Sequence, residues 1–267
     1  MCANLGDSRL LVQLSSAYEA YHRAAAKLPK SLQSRASAPL LLSPHPQWSK
    51  CPTKLLIVGQ ETNGWGSNAT SNGPTTALDT LEEFASSSDG VSSMVSAYKA
   101  FGFARTYRNR NSAFWRAFRY LEGDVAEAPC SAMWTNLFKV DVSGSVVKNC
   151  KIKHRRLLRA AQSGLLAEEI RFLKPQIVVF FTGPRYDDEL IDAFPDAILT
   201  PLLPSRDARE AALVHSAALP VCSIRTYHPT YLQRSRRWGL LEEVATAIRT
   251  IKTADKFSDG LRRGAEA

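Results

Sequence analysis

The sequence predicts an α/β fold, a three-layer α/β/α sandwich around a mainly parallel, four-stranded central sheet. Three observations predict it. Short apolar runs such as LLIVG (55–59) and IVVFFTG (177–183) stop at a glycine, as strands buried on both faces of a parallel sheet do. Segments of helical periodicity, such as 111–122 and 154–173, alternate with them, and that alternation implies helices covering both faces. The composition, 45% hydrophobic and 22% charged, supplies enough apolar side chains for such a core.

The elements follow in order. Residues 8–28 are amphipathic and end at Pro29, and 30–50 are rich in Ser and Pro, an irregular arm. Residues 1–52 thus precede an α/β domain over 53–252, and 253–267 form a loosely ordered tail. LLIVG is the first strand, followed by a long Ser-, Thr-, Asn- and Gly-rich loop over 66–94 with a helical stretch near TALDTLEEFASS. NSAFWRAFRYLE (111–122) is a helix capped by Asn111 or Ser112. SAMWTNLFKVD (131–141) is a second strand running into a polar loop. A single helix over 154–173 stops before Lys174-Pro175, because proline disfavours helix at the preceding residue. IVVFFTG, a weaker strand at 197–203, VCSIRTYHP (221–229) and a helix over 236–252 complete the domain.

Composition narrows the function. A net charge of +9, from 34 Lys and Arg against 25 Asp and Glu, suits a polyanionic partner or a merely solvated basic surface. Five cysteines without a Cys-x-x-Cys pair give no support to zinc ribbons or thioredoxin-like chemistry, and reduced thiols are expected. No run approaches the roughly 18–20 apolar residues of a membrane helix, and the first residues lack a signal-peptide pattern. A cytoplasmic or, in a eukaryote, nuclear protein is expected, acting as a monomer with no membrane contact.

Ligands of open α/β sheets sit beyond the carboxyl ends of the strands. That rule selects GQETNGW, TNLFKVD and HPTYLQR. Glu61 is an acid at the first strand end, either a base that orients water and steadies a cation, or a loop residue capping a helix. GQETNGW lacks the spacing of a phosphate loop. Asn136 interrupts an apolar strand, where its amide needs partners. A pyrimidine edge or a neighbouring loop backbone would each satisfy it. His228 precedes Pro229 and could donate to a carbonyl that gains charge. His22, His45, His154 and His215 lie away from the expected strand ends. Tyr107 sits in a polar loop and suits base stacking, whereas Phe114 and Trp115 on the helix suit core packing. Basic clusters at 105–110, 148–159 and 234–237 could each contact phosphates or be solvated helix faces, and the first and third flank the pocket in sequence.

Taken in order, these segments resemble the uracil-DNA glycosylase superfamily over about residues 53–250. GQETNGW is similar to the family's first motif, with Thr62 where a proline is usual. MWTNLFK matches the strand Asn that reads the uracil edge. His228-Pro229-Thr230 matches the closing His-Pro-Ser, and LKPQIVVFFTG resembles the penultimate strand. NSAFW resembles a stretch of the mismatch-specific and single-strand-selective branches, whose stacking aromatic points to Tyr107, with Phe103 next.

The resemblance implies hydrolysis of the N-glycosidic bond of uracil or a related deaminated base in DNA, after base flipping. It implies catalytic Glu61 and His228, and Gln60, Asn63, Tyr107 and Asn136 around the base. Thr230, Tyr231, Leu232 and Arg234 would contact DNA, with Leu232 or Tyr231 as an apolar wedge. It implies no metal and no organic cofactor, and the four spaced cysteines of the iron–sulfur branch do not occur. A base-binding protein that does not cleave, or a hydrolase of free nucleosides, would fit the same segments.

Overall fold

The computed structural model describes residues 5–65, 78–103, 111–126 and 131–265, without the side chains of 5–11, 13, 103 and 255–265. Six strands form one mixed sheet in the order β2-β1-β3-β6-β5-β4. They are β1 (Leu55–Gly59), β2 (Ala132–Asn136), β3 (Ile177–Phe180), β4 (Ile198–Pro201), β5 (Ala211–His215) and β6 (Cys222–Thr226). The first four in that order are parallel, in a register that sets Gly59 beside Asn136. All residues of β1, β2, β3 and β6 are buried; β1 and β3 are accordingly continuous apolar runs, whereas β6 buries Ser223, Arg225 and Thr226 among its apolar residues.

The four-stranded expectation is therefore corrected to six. β5 runs antiparallel to β6, and β4 antiparallel to β5. β4 is exposed at both ends and half-buried between, an edge strand that closes with Pro201, which blunts further pairing. His215, read as remote from any strand end, terminates β5, where its Nε2 lies 2.9 Å from the Thr200 hydroxyl.

Ten helices are described: α1 (Leu5–Ala26), α2 (Lys30–Gln33), α3 (Leu81–Ser86), α4 (Gly90–Phe103), α5 (Ala113–Val125), α6 (Ile152–Ala161), α7 (Leu165–Leu173), α8 (Asp187–Ala193), α9 (Pro229–Arg234) and α10 (Gly239–Ala265). α1 packs with α3, α4, α6 and α7, whereas α5 packs with α9, α10 and β1. Ser112 caps α5 by accepting the Trp115 N–H, and Thr80 and Glu83 form a capping box on α3. The single helix expected over 154–173 is broken. Gly164 takes φ +74°, a left-handed conformation that ends one helix and starts the next. The tail is helical as far as Ala265.

The Ser- and Pro-rich arm is part of the core. Residues 38–44 are buried, and the chain pairs with the segment after β2 through Ser37 N–H to Asp141 O (3.0 Å) and Leu40 N–H to Lys139 O (2.7 Å). That segment, expected up to Asp141 as part of the second strand, lies beyond the end of β2 at Asn136 and is buried from Leu137 to Val142. Beneath it, Lys139 and Glu169 form an ion pair at 2.6 Å, with side chains 1% and 0% exposed. Lys139 Nζ also donates to Thr135 Oγ1 (2.6 Å) and to the Asn136 carbonyl (3.0 Å), so all three of its protons are used. Tyr18 of α1 reaches Glu169 Oε1 at 3.1 Å and Leu42 O at 3.0 Å. α1, the arm, β2 and α7 are thus joined under the strand that carries Asn136. Among the described residues, no helix is long and apolar enough to cross a membrane, and no three His, Cys, Asp or Glu cluster as metal ligands.

Candidate functional site

The carboxyl ends of β1, β2, β3 and β6 bring three of the selected segments to one edge. β2 ends at Asn136, whose residue is 6% exposed. Among the described residues its side-chain amide has no hydrogen-bond partner; only its backbone carbonyl is used, by Lys139. Its place depends on Gly59. A Cβ at Gly59 would lie 2.3 Å from Asn136 Oδ1 and 3.4 Å from Phe114 Cε2. Only a residue without a side chain lets the amide and the Phe114 ring close over the strand end.

Phe114 in the first turn of α5 forms the next wall. Its ring stacks on His228 at 6.2 Å and 24°, and meets Phe181 edge-on at 6.1 Å. His228 caps α9, its Nδ1 accepting the Thr230 N–H at 3.2 Å. Burial pushes its imidazole down to about 4, so it is neutral at physiological pH. With Nδ1 an acceptor, the single proton resides on Nε2, which has no partner among the described residues. The edge therefore offers an Asn amide, with donor and acceptor, and a neutral imidazole donor.

Glu61 lies two residues past Gly59 and turns elsewhere. Both of its carboxylate oxygens accept from the Tyr186 hydroxyl, at 3.0 and 2.7 Å. Burial lifts its carboxyl to about 7, against the hydrogen bonds from Tyr186 and the Val147 N–H and the nearby Arg185 charge. Gln60 is tied to the third strand, its amide donating to Thr182 O at 2.7 Å. Thr62 and Asp141 hold the loop. Asp141 accepts from the Thr62 hydroxyl (3.0 Å), Gly64 N–H (2.8 Å) and Gly144 N–H (3.1 Å). Trp65 then anchors the loop among Phe101 and Trp134.

The structure thus gathers Gly59, Asn136 and His228 about Phe114 and leaves the Glu61 carboxylate on Tyr186. Asn63 is exposed. Tyr107 and the 105–110 cluster lie outside the described residues, as does the Phe103 side chain. Leu232 is corrected: it is 0% exposed, a core residue on the inner face of α9, and is not available as a wedge. Tyr231 beside it is 46% exposed and packs on Tyr227 at 4.4 Å. Arg234 is exposed in the last turn of α9. A separate cavity of about 260 Å³ lies between residues 137–139, the α6–α7 corner and α8, and none of Glu61, Asn136 or His228 lines it.

Sequence reasoning missed Tyr186 and Asp141. Phe114, expected to pack in the core, does pack against it and also faces His228. Tyr186 and Asp141 act through partners 125 and 79 positions away, and no local pattern marks them. No family model matches the chain, and comparison with curated proteins finds no match either.

Proposed function

We propose that the chain is a DNA glycosylase that hydrolyses the N-glycosidic bond of uracil or a related deaminated base, a reading on the lines of the uracil-DNA glycosylase superfamily. The observation that carries it is the Asn136 amide, which has no protein partner among the described residues, on a residue 6% exposed at the strand end. A flipped pyrimidine would satisfy the amide, with N3–H donating to the amide oxygen and O4 accepting from the amide NH2. The neutral His228 would donate Nε2–H to a carbonyl oxygen of the departing base. A neutral donor suits charge that develops during the reaction, because its orientation is already fixed by Thr230. Glu61, poised near 7, would take a proton from water attacking the sugar cation.

The experiment is base release from a single-uracil oligonucleotide, read as strand cleavage after alkali. Asn136→Ala and His228→Ala are each expected to lower the rate by about 10²–10³-fold while the fold survives. Absence of cleavage with uracil, U·G, hypoxanthine and xanthine substrates would overturn the proposal.

The hold of Tyr186 on Glu61 favours a second reading, in which the site binds a base without cleaving the bond. Base release separates the two, and the pH profile then tests the part of Glu61. If Glu61 is the base, the rate rises with pH about a midpoint near 7, since only the ionised carboxylate accepts a proton. Tyr186→Phe removes a hydrogen bond that favours the ionised form, so the midpoint should move upward. Glu61→Gln should abolish the pH dependence along with most of the activity. A profile flat from pH 5 to 9 would exclude Glu61 as the base.

A further inference from the structure

The basic cluster over 148–159, which in sequence suits phosphate contact or a solvated helix face, follows directly on Val147, beside Glu61. The Val147 backbone lies close enough to the Glu61 carboxylate to favour its ionised form, and α6 begins a few residues later at Ile152, with Lys151 at its N-cap. Arg185, next to Tyr186, donates to Asn149 Oδ1 at 3.2 Å. Arg35 donates to Ser143 Oγ at 3.3 Å, and the Cys150 thiol feels the charges of both Arg35 and Glu61. The acids of this face are already matched: Lys148 pairs with Glu189 at 2.6 Å, and Arg159 pairs with Asp192. Arg35, Lys151, Lys153, Arg156 and Arg185 remain exposed and make no ion pair among the described residues, though Arg185 feels the Glu61 charge.

This arrangement opposes local stability. The first turn of α6 contains no acid, and Lys151 and Lys153 stand where the positive end of the helix favours one. Lys153 and Arg156, three residues apart on α6, share a helix side, and like charges there repel unless an anion lies between them.

We infer that this face, formed by Arg35, Lys151, Lys153, Arg156 and Arg185, holds the phosphate backbone of a nucleic-acid strand and leads it past Glu61. The inference rests on the reading of the edge site as one that acts on DNA. It adds a strand path on the α6 side, opposite in the sheet to the α9 segment expected from sequence. Contacts here would be to phosphates, so they fix position without reading bases.

The test is fluorescence anisotropy of a labelled, uracil-free single-stranded oligonucleotide at several salt concentrations. A Lys151→Gln, Lys153→Gln, Arg156→Gln variant should bind about ten-fold more weakly or worse. It should also flatten the plot of log Kobs against log salt by about 2, at about 0.7 per lost phosphate contact. Arg171→Gln with Lys174→Gln, at the amino-end side of the strands, should change neither. An unchanged salt slope in the triple variant, with uracil release intact in the wild type, overturns the strand path and leaves the glycosylase reading standing. A flattened slope with no base release by the wild type keeps the path and removes that reading. Wild-type protein that ignores the oligonucleotide, or that binds only phosphatidylserine vesicles, also overturns the path.

Discussion

Glu169→Ala is expected to cost about 3–5 kcal/mol of stability, because it leaves Lys139 in a dry interior without its counter-ion, either charged and unpaired or forced to give up its proton. The Lys139 ammonium is 1% exposed and meets Glu169 at 2.6 Å. Burial pulls its pKa below the ordinary lysine value, and the Glu169 charge holds it up. Removing the carboxylate also frees the Thr135 hydroxyl (2.8 Å) and takes a partner from Tyr18. Set against a total of about 5–15 kcal/mol, such a loss takes much of the margin. Urea denaturation measures it. The paired replacement Lys139→Met with Glu169→Leu should recover most of the loss, since no charge is left behind. A single variant within about 1 kcal/mol of wild type would show that the network does not hold the fold.

Gly59→Ala is expected to reduce base release by about 10²-fold, with a smaller loss of stability of about 1–3 kcal/mol. The new methyl would lie 2.3 Å from Asn136 Oδ1, so the amide must move, and Phe114 at 3.4 Å blocks the opposite direction. Steady-state kinetics and denaturation of the same preparation separate the two effects. Adding Asn136→Ala to Gly59→Ala should restore stability by removing the clash and should restore no activity. A Gly59→Ala enzyme with the wild-type rate would mean that the amide does not touch the reacting base.

The parallel part of the sheet was legible because strands buried on both faces are written as continuous apolar runs with glycine or proline nearby. Leu55–Gly59 and Ile177–Phe180 fall where LLIVG and IVVFFTG place them. β5 was not legible. AALVH follows a charged turn and resembles a helical continuation, and its partner β4 is mostly exposed. The break at Gly164 was hidden because the apolar rhythm continues through it. The arm before β1 looked irregular because Ser and Pro suggest solvent, yet its backbone pairs with residues about 100 positions later. Of the candidate site, Asn136 and His228 were visible as residues ill suited to their local setting. Leu232 misled for the opposite reason: a leucine between Tyr and Gln reads as protruding, and one short helix turns it inward.

The Tyr18–Glu169 contact spans 151 positions. On the ribosome, α1 therefore emerges long before the residue that completes its anchor, and β2 emerges before Glu169 can neutralise Lys139. Until α7 leaves the exit tunnel, the strand end bearing Asn136 lacks its electrostatic support. A nascent chain halted before residue 169 should consequently expose the apolar face of α1 to chaperones, and the site should mature as one of the later events of synthesis.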